Sequence, residues 1–126
     1  MFANTPATAT LPAKDLARAR AWYADKLGFK PIRDRGDIGL DYQMGGTSVL
    51  LYPTQFAGTA QHTLINFRSD NLAADMKTLR ARGVVFLDYD FPGLKTVDGV
   101  ATFGPVKASW CNDSEGNILG FSEGDM

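Results

Sequence analysis

The chain predicts an α+β domain in which one strand–helix–strands module is used twice. The first observation is a repeat. Thr8-Ala-Thr-Leu11 followed by a helical run from Asp15 to Gly28 recurs as His62-Thr-Leu-Ile-Asn-Phe67 followed by a run from Asp70 to Gly83. Setting Thr8 against His62, Leu16 against Leu72 and Gly28 against Gly83 gives offsets of 54, 56 and 55, the signature of a duplicated supersecondary unit. The second is that each helical run gives way to short alternating segments punctuated by Gly, Asn and Asp, as antiparallel strands require. The third is length: 126 residues can bury one ordinary core but not two. Residues 1–126 are therefore read as one domain, with module one at about 5–55 and module two at about 60–124.

The elements follow in order. Residues 7–12 read as a strand with Thr8 and Thr10 on one side, Ala9 and Leu11 on the other. Asp15 suits the N-cap of the next helix, whose apolar stripe is Leu16, Ala19, Tyr23 and Leu27 and whose stop is Gly28. Strands are expected at about 29–34, 38–44 and 47–53, with Gly45-Gly46 as a two-residue hairpin turn. Module two opens with strand 62–68, where alternation sends Thr63, Ile65 and Phe67 toward the helices and His62, Leu64 and Asn66 to the opposite face. A helix at about 71–82 carries Leu72, Met76 and Leu79 and stops at Gly83, and Val84-Val-Phe-Leu87 begins another strand. Residues 88–106 form a long Gly/Pro-containing connection, and one this long in a compact domain is more often functional than idle. A last hairpin joins Lys107–Asn112 to Ile118–Ser122 through Asp113-Ser-Glu-Gly-Asn117.

Composition removes several classes of partner. Thirteen basic residues stand against 14 acidic ones with no basic cluster, so nucleic acid is not an expected partner. No apolar run approaches a membrane span and the N-terminus has no signal-peptide pattern, so a soluble, cytoplasmic protein without a membrane partner is expected. The lone cysteine, Cys111, rules out an intrachain disulfide and reads as a packed strand thiol. Phosphate-loop, dinucleotide and nucleophile-elbow patterns are all missing. The charges of Ile32-Arg-Asp-Arg-Gly-Asp37 alternate around a turn and read as solvated.

Leu11-Pro-Ala-Lys-Asp-Leu-Ala-Arg-Ala-Arg-Ala-Trp-Tyr-Ala-Asp-Lys-Leu-Gly-Phe29, with the late Asp113-Ser-Glu-Gly-Asn-Ile118, resembles the vicinal oxygen chelate superfamily. That group includes glyoxalase I, bleomycin-resistance proteins, fosfomycin-resistance enzymes and extradiol dioxygenases. The resemblance spans essentially the whole chain. It implies two βαβββ modules whose sheets curl into an incomplete barrel around a cleft, and a homodimer. It also implies where a metal would be held in the enzymes of the group: first-strand positions falling on Thr8 and His62, last-strand positions on about Leu51 and Gly120. Only His62 is a competent ligand there, so no metal and no other cofactor is expected. Glu123 sits an odd number of residues past Gly120 and points to the other face of its strand.

The remaining candidates are ligand-binding residues. His62, the only histidine, is either a satisfied structural residue or the one group poised for ligand contact or proton transfer. Thr10 and Asn66 share the cleft side with it. Tyr52, Tyr89, Phe91, Phe103 and Trp110 can supply apolar wall, or belong to the core. The resulting expectation is a metal-free protein that sequesters a small molecule in the cleft. The alternative is a metal-independent lyase or isomerase with His62 as general acid or base.

Overall fold

The computed structural model describes residues 1–124. Module one runs β1 (Ala9–Ala13), α1 (Leu16–Trp22), β2 (Arg33–Asp34), β3 (Leu40–Met44) and β4 (Thr47–Pro53). Module two runs β5 (Thr63–Arg68), α2 (Leu72–Ala81), β6 (Asp90–Phe91), β7 (Leu94–Lys95), β8 (Ala101–Phe103), β9 (Val106–Asn112) and β10 (Ile118–Glu123). Each module makes a four-stranded sheet of the same order, β1-β4-β3-β2 and β5-β10-β9-β8, while β6 and β7 pair as a separate hairpin. The first strand of each sheet lies parallel to the last and the other pairs are antiparallel. Parallel neighbours cannot be joined by a tight turn, so each helix serves in the crossover. The α+β class and the duplication are thus realised, with two open sheets and no closed barrel.

The helices begin where the sequence directs. Asp15 caps α1 by accepting from the Arg18 amide at 3.0 Å, and Asn71 caps α2 by accepting from the Ala74 amide at 3.1 Å. After Trp22 the first helix widens into one π-helical stretch, Tyr23–Leu27, closed by Gly28 at φ 76°. Both helices cover the core-facing side of their sheets. Leu11, Leu40, Tyr42, Val49 and Leu51 are buried with Ala19 and Tyr23, and Leu119, Phe121 and Cys111 with Leu72, Met76 and Leu79. Burial pushes the Cys111 thiol up to about 12, with the nearby Asp113 adding to the effect, so it is inert packing. The opposite faces stay open: Thr10, Gln43 and Ser48 are exposed on the first sheet and Asn66 and Arg68 on the second. No described helix is long and apolar enough to cross a membrane.

Three elements differ from the sequence expectation. The strand expected at 29–34 shrinks to Arg33–Asp34, because Pro31 has no amide to donate and the chain then enters a 3-10 turn, Gly36–Ile38, that delays β3 to Leu40. Val84–Leu87 is no continuous strand: it touches the second sheet through one bridge, Phe86 to Cys111, and the Leu87 amide bonding Trp110 O at 2.8 Å. The 88–106 stretch is folded rather than irregular, since Phe91-Pro92-Gly93-Leu94 turns the β6–β7 hairpin with Gly93 at φ 83°.

A buried polar clasp joins the modules. The Asp113 carboxyl group accepts from Tyr23 Oη at 2.5 Å, Asn117 Nδ2 at 2.9 Å and the amides of Glu115 and Asn117. Asn117 Nδ2 also donates to Pro12 O at 2.8 Å, and its Oδ1 accepts from the Gly58 amide at 3.1 Å in the segment linking the modules. The terminal turn therefore holds α1, β1 and the linker together. Burial pushes the Tyr23 phenol up and Asp113 reinforces it, so Tyr23 is a permanent donor.

Beside it Glu115 accepts from Arg18 Nε at 2.8 Å, Arg18 Nη2 at 3.0 Å and the Asp15 amide at 2.8 Å. Burial alone would raise this carboxyl group, but Arg18, the Asp15 amide and Ser114 together bring it down to about 2 from an ordinary 4.5. A depressed folded value stabilises the protein above about pH 4.5, and that contribution is lost as pH falls toward 2. Urea unfolding should therefore show a midpoint that drops between about pH 5 and about pH 3. Glu115→Gln should be less stable than wild type at neutral pH and show a shallower drop; parallel profiles would remove Glu115 from the acid response.

Candidate functional site

The site grows from the open face of the second sheet. Asn66, Gly120 and Trp110 stand abreast across β5, β10 and β9. Gly120 leaves room for its neighbours: a Cβ there would lie 2.8 Å from Asn66 Oδ1, 3.1 Å from Thr63 Cγ2 and 3.5 Å from Trp110 Nε1. The indole occupies that clearing and is tied down by donating from Nε1 to Thr63 Oγ1 at 3.1 Å. Tyr89 meets it edge-on at 5.5 Å between ring centroids, and Phe91 continues the aromatic series at 5.7 Å from Tyr89. A recess of about 290 Å³ opens among these rings, lined also by Gln61, His62, Leu94 and Ile118.

The loop holding Tyr89 is braced. Thr96, buried at 8% exposure, donates to Asp88 Oδ1 at 2.7 Å and accepts from the Tyr89 amide at 2.8 Å, while the Gly99 amide also reaches Asp88 Oδ1 at 2.9 Å. The Thr96 hydroxyl and then the Gly99 amide hold the Asp88 carboxyl group below its ordinary range. Partial burial raises the Tyr89 phenol, which therefore stays protonated as a hydrogen-bond donor.

The recess gathers His62, Tyr89, Phe91 and Trp110, four of the eight residues expected to bind ligand. Asn66 borders Trp110 across Gly120 and donates to Ser122 Oγ at 2.8 Å. Thr10 and Tyr52 lie on the first sheet, paired with Leu50 and Pro12, and Phe103 ends β8; none of these three lines the recess. His62 precedes β5 instead of lying within it and is exposed, its Nδ1 3.1 Å from Thr63 O. Thr63 went unrecognised by alternation, which sent it to the helix side. The register slips between Ile118 and Leu119, so that Ile118 faces Thr63 but Leu119 faces Ile65, and this bulge turns Thr63 toward Trp110. Leu94 and Ile118 were missed too; the Pro92-Gly93 turn is the signal that could have brought Leu94 next to Phe91.

The metal geometry of the resembling enzymes does not fit these residues. Thr8 precedes β1, and the position inferred near Leu51 falls in the core, because Leu51 pairs with Leu11 and is 1% exposed; the open-face residue paired with Thr10 is Leu50. Gly120 has no donor, and the space a ligand side chain would need is taken by Asn66, Thr63 and Trp110. Glu123 faces the helix layer, where its Oε1 accepts from the Leu72 amide at 2.8 Å at the start of α2. No group of three metal-ligating side chains converges among the described residues.

Two open four-stranded sheets, each built on a strand–helix–strands module, have the architecture of the vicinal oxygen chelate proteins. Residues 5–119 match the model of the Glyoxalase/Bleomycin resistance protein/Dioxygenase superfamily, and the chain belongs to that superfamily. No curated protein matches the sequence. Among solved structures, the chain is similar to TnmS3, an antibiotic binding protein from Streptomyces sp. CB03234, with a TM-score of 0.73 and 21% identity over 99% of each chain. It is similar to a glyoxalase/bleomycin resistance protein/dioxygenase from Alicyclobacillus acidocaldarius, with a TM-score of 0.72 and 17% identity over 98% of this chain and 93% of that one. A lactoylglutathione lyase from Agrobacterium tumefaciens gives a TM-score of 0.71 and 16% identity over 96% and 94%. At such identities the likeness is one of fold, and it spans a binding protein and a lyase alike.

Proposed function

We propose that this chain is a cytoplasmic, homodimeric binding protein that sequesters a small, flat aromatic molecule against Trp110, without metal or other cofactor. The carrying observation is the indole itself, pinned by Thr63 over a glycine and met edge-on by Tyr89, which Phe91 backs in turn, so that its orientation is fixed before any ligand arrives. Rigid aromatic walls with few polar groups favour stacking of an apolar ring, and the fixed geometry lowers the entropy cost of binding. The antibiotic-binding structural neighbour supports the same reading. Catalysis through His62 has less support: among the described residues its ring bonds the adjacent Thr63 carbonyl oxygen, and no carboxylate pairs with it. Homodimerisation is favoured by the two open sheet faces, which a second copy can cover.

The test is calorimetry with a panel of glycopeptide antibiotics and neutral polycyclic aromatics, joined to native mass spectrometry for oligomer and carried ligand. A hit should quench wild-type fluorescence and weaken roughly tenfold or more in Trp110→Ala and Tyr89→Ala, the usual size of losing an aromatic anchor. Unchanged affinity in both variants would move the site elsewhere, and a monomer mass would remove the dimer.

A further inference from the structure

A second cavity lies away from the Trp110 recess, between the π-helical end of the first helix and the side of α2. It has a volume of about 370 Å³, and its apolar floor includes Phe29, Phe67 and Phe121. The three rings form a near-parallel series, with successive centroids 5.7 Å apart and interplanar angles of 28° and 27°. Phe29 and Phe67 are only half-buried, so the series is open to a further ring.

The rim has a charge opposite to that of the protein. Lys26, Arg68 and Arg82 line it with one acid, Asp75, and Asp25 pairs with Lys26 at 3.0 Å, which leaves a local surplus of one positive charge, carried by the two guanidinium groups, on a chain whose formal charge is -1. Asp75 already accepts from Ser69 Oγ. Two reciprocal bonds fix the walls: Arg82 Nη1 donates to Lys26 O at 2.8 Å, and Lys26 Nζ donates to Arg82 O. Arg82 spends one of its five side-chain N–H donors this way, and the Arg68 side chain has no hydrogen bond or ion pair among the described residues. An aromatic floor beneath guanidinium groups with spare donors matches a flat ring bearing one carboxylate, which can stack on phenylalanine while its oxygens take N–H bonds.

We propose that this crevice is a separate binding site for small aromatic carboxylates, independent of the proposed Trp110 site. The probe is 2-naphthoate, with neutral 2-naphthamide as its isosteric control, followed by calorimetry on the full chain. Naphthoate should bind at least about tenfold tighter than the amide, and Arg68→Gln should erase most of that preference, as loss of a charge-assisted contact does. Arg68 anchors no other residue, so this variant should fold; Arg82→Gln, which also loses the Lys26 contact, is the second variant. In a Trp110→Ala background, where stacking at the other recess is removed, the preference for the acid over the amide should persist, whether or not the Trp110 reading holds. Equal affinity for acid and amide, no binding up to about 5 mM, or loss in Trp110→Ala but not in Arg68→Gln would overturn the proposal. So would a dimer that Arg68→Gln dissociates while naphthoate has no effect, since the crevice would then be a contact between copies.

Discussion

Asp113→Ala is expected to cost about 3–5 kcal/mol of folding stability, the range for stripping a hub from a buried polar network. The carboxyl group serves four donors at once, and two of their owners, Tyr23 and Asn117, are at most 1% exposed. With the acceptor gone, the Tyr23 hydroxyl has no water to turn to, and each orphaned donor contributes its own desolvation penalty. Tyr23→Phe removes one donor together with its need for a partner and should cost less. The measurement is urea unfolding, with the midpoint lowered and the slope preserved. A loss below about 1 kcal/mol would mean that the turn relaxes and the clasp is not cooperative.

Gly58→Ala is expected to rank next, at about 3 kcal/mol, from left-handed backbone strain and a steric collision acting together. Gly58 has φ +77°, and a Cβ there would sit 2.4 Å from Glu115 O, a backbone atom that cannot rotate away. Relief requires the linker to lift off the terminal turn, which breaks the Gly58 amide bond to Asn117 Oδ1. Because both substitutions open the same clasp, the double variant should lose less than the sum of the two. Thermal unfolding of the four proteins tests this, and strict additivity would count against a shared clasp.

The sequence carried the fold because its signals were local and repeated. Asp15 offered a cap, Gly28 and Gly83 offered stops, and helical spacing picked out Ala19 and Tyr23 on the first helix and Leu72, Met76 and Leu79 on the second, all of which are buried. The site was only half legible. Trp110, Tyr89, Phe91 and His62 could be named as residue types suited to a ligand wall, but their convergence depends on a hairpin fold-back and on the β5–β10 bulge. A bulge reverses parity for every residue before it, and that is why Thr63 was sent to the wrong face. Phe103 and Tyr52 had the right chemistry and the wrong sheet position, which alternation cannot reveal. The clasp was visible as an Asp-x-x-Gly-Asn turn, but its partners Tyr23, Pro12 and Gly58 are distant in sequence.

The clearing at Gly120 also bears on what this chain can become. A histidine introduced there would start from a Cβ already pressed against Asn66 and Thr63, with the indole in the volume its ring must enter. It would find His62 outside the strand and Leu50 where a further donor is needed. Building a metal centre here therefore demands several coordinated replacements, and the one at Gly120 displaces the indole from its clearing. A single substitution at this glycine thus disturbs the aromatic recess without supplying a coordination shell.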